Sequence, residues 1–302
     1  MVQIGKILFY YLVFPGFLTL TSIALVFSWL DRKITARLQW RKGPPFFQPY
    51  YDLKKLFQKE IIIPENSPSP ILFLLSPLLA LISVSLAGTI LAVSVVFPSQ
   101  SLVGDIIVFL YFLVLPQVLV IVGALASVNP YASIGASREL KLILSYELPF
   151  LIIILGRLLS ARSLNIATLL VSPPAGFISQ ILFILVGIIV VAAKSGIVPF
   201  DIAEAETELA GGIFIEYSGP LLALFKLSRM IMTIILILFT STVIWPGNGL
   251  FAVIGKFLLI SIILIIIRNT NPRLRIDQIM RFFWFTVSGL AILGFLLALK
   301  GL

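Results

Sequence analysis

A chain of 302 residues that is 60% hydrophobic and 12% charged, with a mean hydropathy of +1.12, falls outside the range of soluble globular domains. With no cysteine and no histidine, it has no disulfide, no thiolate-held iron–sulfur cluster or nickel, no imidazole ligand for haem or zinc, and no serine–histidine base. Its net charge of +9 would suit a polyanion, but the basic residues gather in alternate connections between apolar runs, which reports topology rather than nucleic-acid binding.

A membrane-crossing helix needs roughly 20 mostly apolar residues. Eight runs meet that length: residues 4–30, 71–97, 102–128, 140–159, 176–193, 213–240, 250–267 and 279–299. The first lacks the short apolar core and small-residue cleavage site of a signal peptide, so it counts as a helix. Only helices or closed barrels satisfy their backbone in lipid. The expected fold is therefore an all-α polytopic membrane protein, one integral domain over residues 1–302. Arg32, Lys33, Arg37, Arg41, Lys42, Lys54, Lys55 and Lys59 follow the first run; Arg138, Lys141, Lys194, Arg268, Arg273, Arg275 and Arg281 mark the other basic connections. Lys6, Arg157, Arg162, Lys256 and Lys300 fall on the opposite side. The positive-inside bias then places the basic loops in the cytoplasm and both termini outside a cell membrane.

In the first basic connection Pro44-Pro45 stop any helix, and residues 50–60 place Leu53, Leu56 and Phe57 on one face with Asp52, Lys54, Lys55 and Lys59 around the rest. That pattern predicts an amphipathic helix lying in the headgroup layer. Pro116 sits within the third run and predicts a kink. In residues 129–150, Glu139 is expected at the cytoplasmic end of helix four and Glu147 two turns further in, where Pro149 opens the backbone beside it.

Residues 194–229 concentrate the chemistry. Asp201, Glu204, Glu206, Glu208 and Glu216 fall between two membrane-length runs, and Lys226 and Arg229 follow inside the next. Asp201 with Glu204 resembles a capping box at a helix start. On that helix Asp201, Glu204 and Glu208 would share a face while Glu206 points elsewhere. Like charges this close titrate as a unit and share protons, which suits a proton relay. Glu216 is expected to open helix six, with Glu147 or Glu216 as partner for the cations at 226 and 229. The last connection, 268–284, is basic apart from Asp277 and reads as a docking patch or a headgroup anchor. No glycine-rich phosphate loop or tandem repeat is present.

These patches stand in a familiar order. DRKITARLQWRKGP (31–44), QPYYDLKKLFQKE (48–60), GASRELKLILSYE (135–147), PFDIAEAETELAGGIFIEYSG (199–219) and RIDQIMRFFW (275–284) together resemble the H-subunit family. These are the membrane subunits at the joint of respiratory complex I, where they are subunit 1 in mitochondria, and of membrane-bound nickel–iron hydrogenases. The resemblance implies about eight helices with an outside N-terminus and no metal in this chain. It implies hydrophilic redox subunits docked on the cytoplasmic side, which hold iron–sulfur clusters and a nickel–iron centre, and antiporter-like membrane subunits alongside. By position Glu139, Glu147, Asp201, Glu204, Glu206, Glu208 and Glu216 match the family's acidic path. Arg41 and its neighbours match the contact with the redox arm, so Arg32, Arg37, Arg41, Lys42, Arg273 and Arg275 become docking candidates.

Two departures separate the chain from the quinone-using branch. Asp31 stands where complex I proteins more usually carry Glu, and only Pro45-Phe46-Phe47 separate Gly43-Pro44 from Gln48-Pro49, where that branch has a longer insert. The short form resembles the hydrogenase branch and its sulfur-reducing relatives. The expected function is a non-catalytic, membrane-anchoring proton-relay subunit of a ferredoxin-linked, ion-translocating oxidoreductase. The rivals are a quinone-binding subunit and a free-standing secondary transporter.

Overall fold

Among the described residues, eight helical segments are long and apolar enough to cross a membrane: Leu8–Leu38, Pro70–Val96, Asp105–Ala126, Pro130–Ala161, Phe177–Lys194, Gly219–Ile244, Phe251–Thr270 and Ile276–Leu299. The computed structural model describes the chain except residues 1, 65–66, 101–103, 175, 205 and 248, and every regular element among the described residues is helical. In chain order these are α1 (Val2–Leu12), α2 (Phe17–Leu38), α3 (Gln48–Phe57), α4 (Pro70–Val96), α5 (Asp105–Ala126), α6 (Pro130–Ala161) and α7 (Ile166–Val171). There follow α8 (Phe177–Lys194), α9 (Glu206–Leu209), α10 (Gly219–Phe239), α11 (Leu250–Thr270), α12 (Ile276–Arg281) and α13 (Ser288–Leu299). A π-helical turn, Thr240–Ile244, extends α10, and another, Phe282–Val287, joins α12 to α13.

Several boundaries differ from expectation. The first run is two helices, because Pro15 lacks an amide donor and the chain breaks between Leu12 and Phe17. Its second helix runs on to Leu38, so Asp31, Arg32, Lys33 and Arg37 are helical rather than in a loop. Helix α6 begins ten residues earlier than residue 140: Pro130 fits the first helical turn, and Asn129 caps it by accepting the Tyr131 N–H at 2.9 Å. Pro116 and Pro149 are both carried inside continuous helices, so the backbone does not open beside Glu147.

The chain packs as two compact units. One comprises Met1–Thr89, Leu110–Leu140 and Asp201–Ile234; the other comprises Ile90–Phe109, Lys141–Phe200 and Ile235–Leu302. In the first, Phe73, Ala80, Ala126, Tyr217, Leu221 and Phe225 form a buried cluster, with Tyr217 stacked on Phe73 at 4.2 Å between ring centres. In the second, Phe183 of α8 fills the space left by Gly156 of α6 and Gly294 of α13. Within the same unit α6 shows the period that lipid demands. Leu144, Leu148, Leu151, Leu155 and Leu159 form an exposed apolar stripe, while Tyr146, Phe150, Ile153, Ile154 and Arg157 are buried on the opposite face.

Helix α3 is amphipathic as predicted, starting two residues earlier, with Leu53 buried and Lys54 and Lys55 exposed. Its attachment to α2 is ionic: Arg32 donates to Asp52 at 2.6 Å, and Gln48 donates to the other carboxylate oxygen at 2.9 Å. Burial works against the charged form of Asp52, but the Arg32 and Gln48 hydrogen bonds and the charges of Arg32 and Lys226 outweigh it and hold the carboxyl below its ordinary 3.8. A folded-state value below the unfolded one stabilises above the unfolded value and is lost as pH falls through the folded one. Acidification below pH 4 is therefore expected to loosen α3, and Asp52→Asn to remove that dependence. Because the pair is 40% exposed on each side, the change should stay within about 1 kcal/mol. Hydrogen exchange of residues 50–57 across that pH range checks it.

Candidate functional site

The loop between α8 and α10 is not the single acidic helix expected from its spacing. A 3₁₀ turn, Ile202–Glu204, and the one-turn α9 are followed by Gly211 and Gly212 at φ 106° and 53° and a second 3₁₀ turn, Gly212–Phe214. A left-handed pair is open to glycine at little cost, and a Cβ on Gly212 would collide with the Ala203 carbonyl. The reversal folds the loop back on itself and sends its carboxylates to different partners. Asp201, Glu204 and Glu208 consequently do not line one face.

Glu204 forms an ion pair with Arg229 of α10, and Arg229 also lies over the Phe214 ring at 5.4 Å. Glu204 is the carboxylate that contacts Arg229, and the charges of Glu139 and Asp201 also act on it. Glu139 stands well inside α6, half-buried, rather than at its end. Glu208 instead meets Arg138 at 2.6 Å, with its side chain 62% exposed. Glu216 does not open a helix. It precedes α10 and accepts from the Asn129 amide at 2.6 Å, so the residue capping α6 also holds this acid. Lys226 is exposed and its charge acts on Asp52. The side chain of Glu206 lies outside the described residues.

Next to Glu216, Tyr217 anchors the loop. Its hydroxyl donates to the Phe73 carbonyl at 3.2 Å and lies 3.1 Å from Ser76 Oγ. Burial pushes its phenol up to about 12, against the opposing Ser76 hydrogen bond, so it serves as a neutral donor at physiological pH.

In the second unit Glu147 of α6 pairs with Lys194, the last residue of α8, whose side chain is wholly buried. From sequence Lys194 reads as a loop cation, Arg229 is given the wrong acid, and Asn129 is missed as the partner of Glu216. The overlooked signal at 194 was position: a cation in the last turn of a helix faces unpaired carbonyls, which offset part of the cost of burying it.

Of the docking candidates, Arg32 is committed to Asp52, whereas Arg37, Arg41, Lys42, Arg273 and Arg275 are exposed. Trp40, beside the first group, is 98% exposed. Arg275 lies 3.6 Å from Asp277, and the Leu274 amide donates to the Pro199 carbonyl at 3.2 Å, tying that patch to the stretch of chain leading into the acidic loop.

The sequence profile of the family described as NADH dehydrogenase matches residues 11–299. The H subunit of a NADH-quinone oxidoreductase from Dehalococcoides mccartyi strain CBDB1 is 33% identical over 295 residues, covering 92% of this chain and 82% of its own length. That of Thermomicrobium roseum is 31% identical, covering 91% and 90%. The chain belongs to the H-subunit family of complex I-like respiratory complexes. Among solved structures, a similar fold with TM-score 0.83 and 25% identity comes from the membrane-bound sulfane sulfur reductase, an archaeal respiratory membrane complex, covering 93% of this chain and 96% of that one. Membership in the H-subunit family accounts for the multi-pass helical architecture and for the order of motifs from 31 to 284.

Proposed function

We propose that the chain is the membrane-anchoring and proton-relay subunit of a ferredoxin-linked, ion-translocating oxidoreductase of the hydrogenase or sulfane sulfur reductase type. The observation that carries this reading is the Glu204–Arg229 ion pair, on which the charges of Glu139 and Asp201 also act. One cation cannot balance three acids, which is the arrangement that proton exchange along a path calls for. Charge changes in docked redox subunits, seated on the exposed Trp40, Arg41 and Lys42 surface and on Arg273 and Arg275, bias that exchange. Glu147 and Glu216 are further members of the path, and antiporter-like neighbours receive the signal. The redox metals, iron–sulfur clusters and a nickel–iron centre, belong to the partner subunits. Both termini face outside the cell membrane.

Glu204→Gln and Glu147→Gln, made in the native complex, are expected to abolish ion translocation in membrane vesicles while reduction of a soluble dye by the docked subunits continues. Undiminished translocation in both variants contradicts the relay. Glu208→Gln, at the exposed rim, is expected to have a smaller effect.

A quinone-binding role has one observation in its favour. Ser22, Leu25, Val26, Phe46, Phe47, Pro49 and Tyr50 line an apolar groove of about 280 Å³ beside the short 43–49 connection, and the Dehalococcoides relative belongs to a NADH-quinone oxidoreductase. Quinone-dependent turnover by the purified complex decides for that reading.

A further inference from the structure

Positive charge on the side that the topology leaves poor in basic residues needs a reason. Packing supplies one for two of these cations. Arg157 clamps buried carbonyls, and Lys256 donates to the Trp245 and Pro246 carbonyls at 2.9 and 3.0 Å. Arg162 and Lys300 differ: both are exposed, and among the described residues neither has an acid partner. Arg162 stands in the wall of a cleft of about 820 Å³. The apolar part of that wall is Leu155, Leu158 and Leu159 of α6, Leu164 just beyond it, and Ala298 and Leu299 at the end of α13, all within the second compact unit. The polar part is Ser160, Arg162 and Ser163, with no acid among the described residues, and Lys300 follows Leu299 directly.

The backbone singles out Arg162. Its amide donates to the Leu158 carbonyl at 2.8 Å, closing α6, and its φ of 49° is left-handed. Glycine or asparagine usually ends a helix in this way, because a longer side chain there carries a steric cost. Arginine gains nothing for the backbone at such a position, so its use lies in what the guanidinium meets. The Ser163 hydroxyl accepts the Asn165 amide at 3.2 Å, which leaves its own O–H to be donated. Ser160 is taken up by Arg157 and ties the cleft wall to the buried clamp. Leu155 and Leu159 belong to the exposed apolar stripe of α6, whereas the arginine and Ser163 lie past its end. Apolar surface toward the bilayer core and cationic donors at its edge match a phospholipid, chains inward and phosphate outward. We propose that this cleft holds an anionic phospholipid, its acyl chain along the leucines and its phosphate on Arg162 and Ser163, with Lys300 adding to the attraction. The site requires only the membrane-spanning fold and is independent of the relay reading.

The test compares two headgroups. The native complex is reconstituted in phosphatidylcholine nanodiscs carrying a trace of phosphatidylglycerol or phosphatidylcholine with a photoactivatable acyl chain, and crosslinked peptides are identified by mass spectrometry. Wild type is expected to be labelled within 155–164 and 298–300 by phosphatidylglycerol in preference to phosphatidylcholine, whose choline cancels the phosphate charge. Arg162→Gly accepts the left-handed backbone without steric cost. It is expected to lower phosphatidylglycerol labelling roughly fivefold, the loss of one cation beside an anionic headgroup, and to leave phosphatidylcholine labelling unchanged. If that variant does not assemble, the two probes on wild type decide alone. Phosphatidylglycerol labelling undiminished in Arg162→Gly shows that the arginine only ends α6 and overturns the proposal. Equal labelling by both probes in wild type makes the cleft ordinary lipid-facing surface and overturns it as well. So does labelling by neither, which means that a neighbouring subunit covers the cleft. Loss of the phosphatidylglycerol label to excess glycerol 3-phosphate makes the ligand a soluble phosphate and likewise overturns it.

Discussion

Replacing Arg157 with methionine is expected to destabilise the chain by about 3 kcal/mol or more, since several buried carbonyls lose a charged donor and each such loss costs about 1–3 kcal/mol. Arg157 is 1% exposed on α6, and from sequence it counts only as a cation of the side opposite the basic loops. In the fold its guanidinium is a clamp. Nε donates to the Val243 carbonyl at 2.9 Å, and the terminal nitrogens reach the carbonyls of Leu169, Ser172 and Pro173 and the hydroxyls of Ser160 and Ser172, between 3.1 and 3.4 Å. These carbonyls belong to the end of α7 and to the π turn that extends α10, where the regular ladder leaves acceptors unpaired. Gln180 supports the same turn by donating to the Ile244 carbonyl. Removing the guanidinium relieves its own desolvation, which is why the net loss is smaller than the sum of the bonds. Lysine, a point charge without the planar fork, is expected to restore only part of it. Thermal unfolding of the detergent-solubilised complex, followed by circular dichroism, gives the comparison. A melting curve for the methionine variant superimposable on wild type would show the clamp to be dispensable.

Arg157 illustrates which features sequence can and cannot supply. Apolar run length is a local property, and all eight runs became membrane-length helices. Helix α3 was legible for the same reason, because its period of three and four is written in neighbouring residues. Charge partners are not local. Arg229 meets Glu204, 25 positions before it in the chain, only because Gly211 and Gly212 reverse the loop, and Glu208 is sent to Arg138 by that reversal. The acids were identifiable as a group, since carboxylates at that density between membrane-length segments demand a reason. Their division among Arg229, Arg138 and Asn129 required backbone geometry that i, i+3 counting does not contain. The same limit made Lys194 look like a loop cation and Arg157 like a mere marker of topology. Both are basic residues at helix ends, and only packing shows that these ends are enclosed.

Gly135→Ala is expected to weaken the proposed relay without touching an ionisable residue. A Cβ at position 135 would lie 2.9 Å from the Ile213 amide nitrogen, 3.1 Å from the Ala203 carbonyl oxygen and 3.1 Å from Ile213 Cγ2. Two of these are backbone atoms, so no rotamer change relieves the contact, and the 203–213 segment has to move away from α6. Overpacking of this kind costs about 1–3 kcal/mol. The functional consequence follows from what that segment carries. Glu204 is adjacent to Ala203 and paired with Arg229, while Glu139 stands one turn beyond Gly135 on the same face of α6. Shifting the segment therefore separates Glu139 from the Glu204–Arg229 pair, and proton exchange falls steeply with added distance. Ion translocation in vesicles is expected to drop severalfold in Gly135→Ala and further in Gly135→Val, in step with side-chain size, with dye reduction retained. The neighbouring Ser137 is exposed, so Ser137→Ala is the matched control and should behave as wild type. If valine at 135 left translocation unchanged, the close approach of α6 to the acidic loop would have no part in coupling, and the Arg229 cluster would have to work without Glu139.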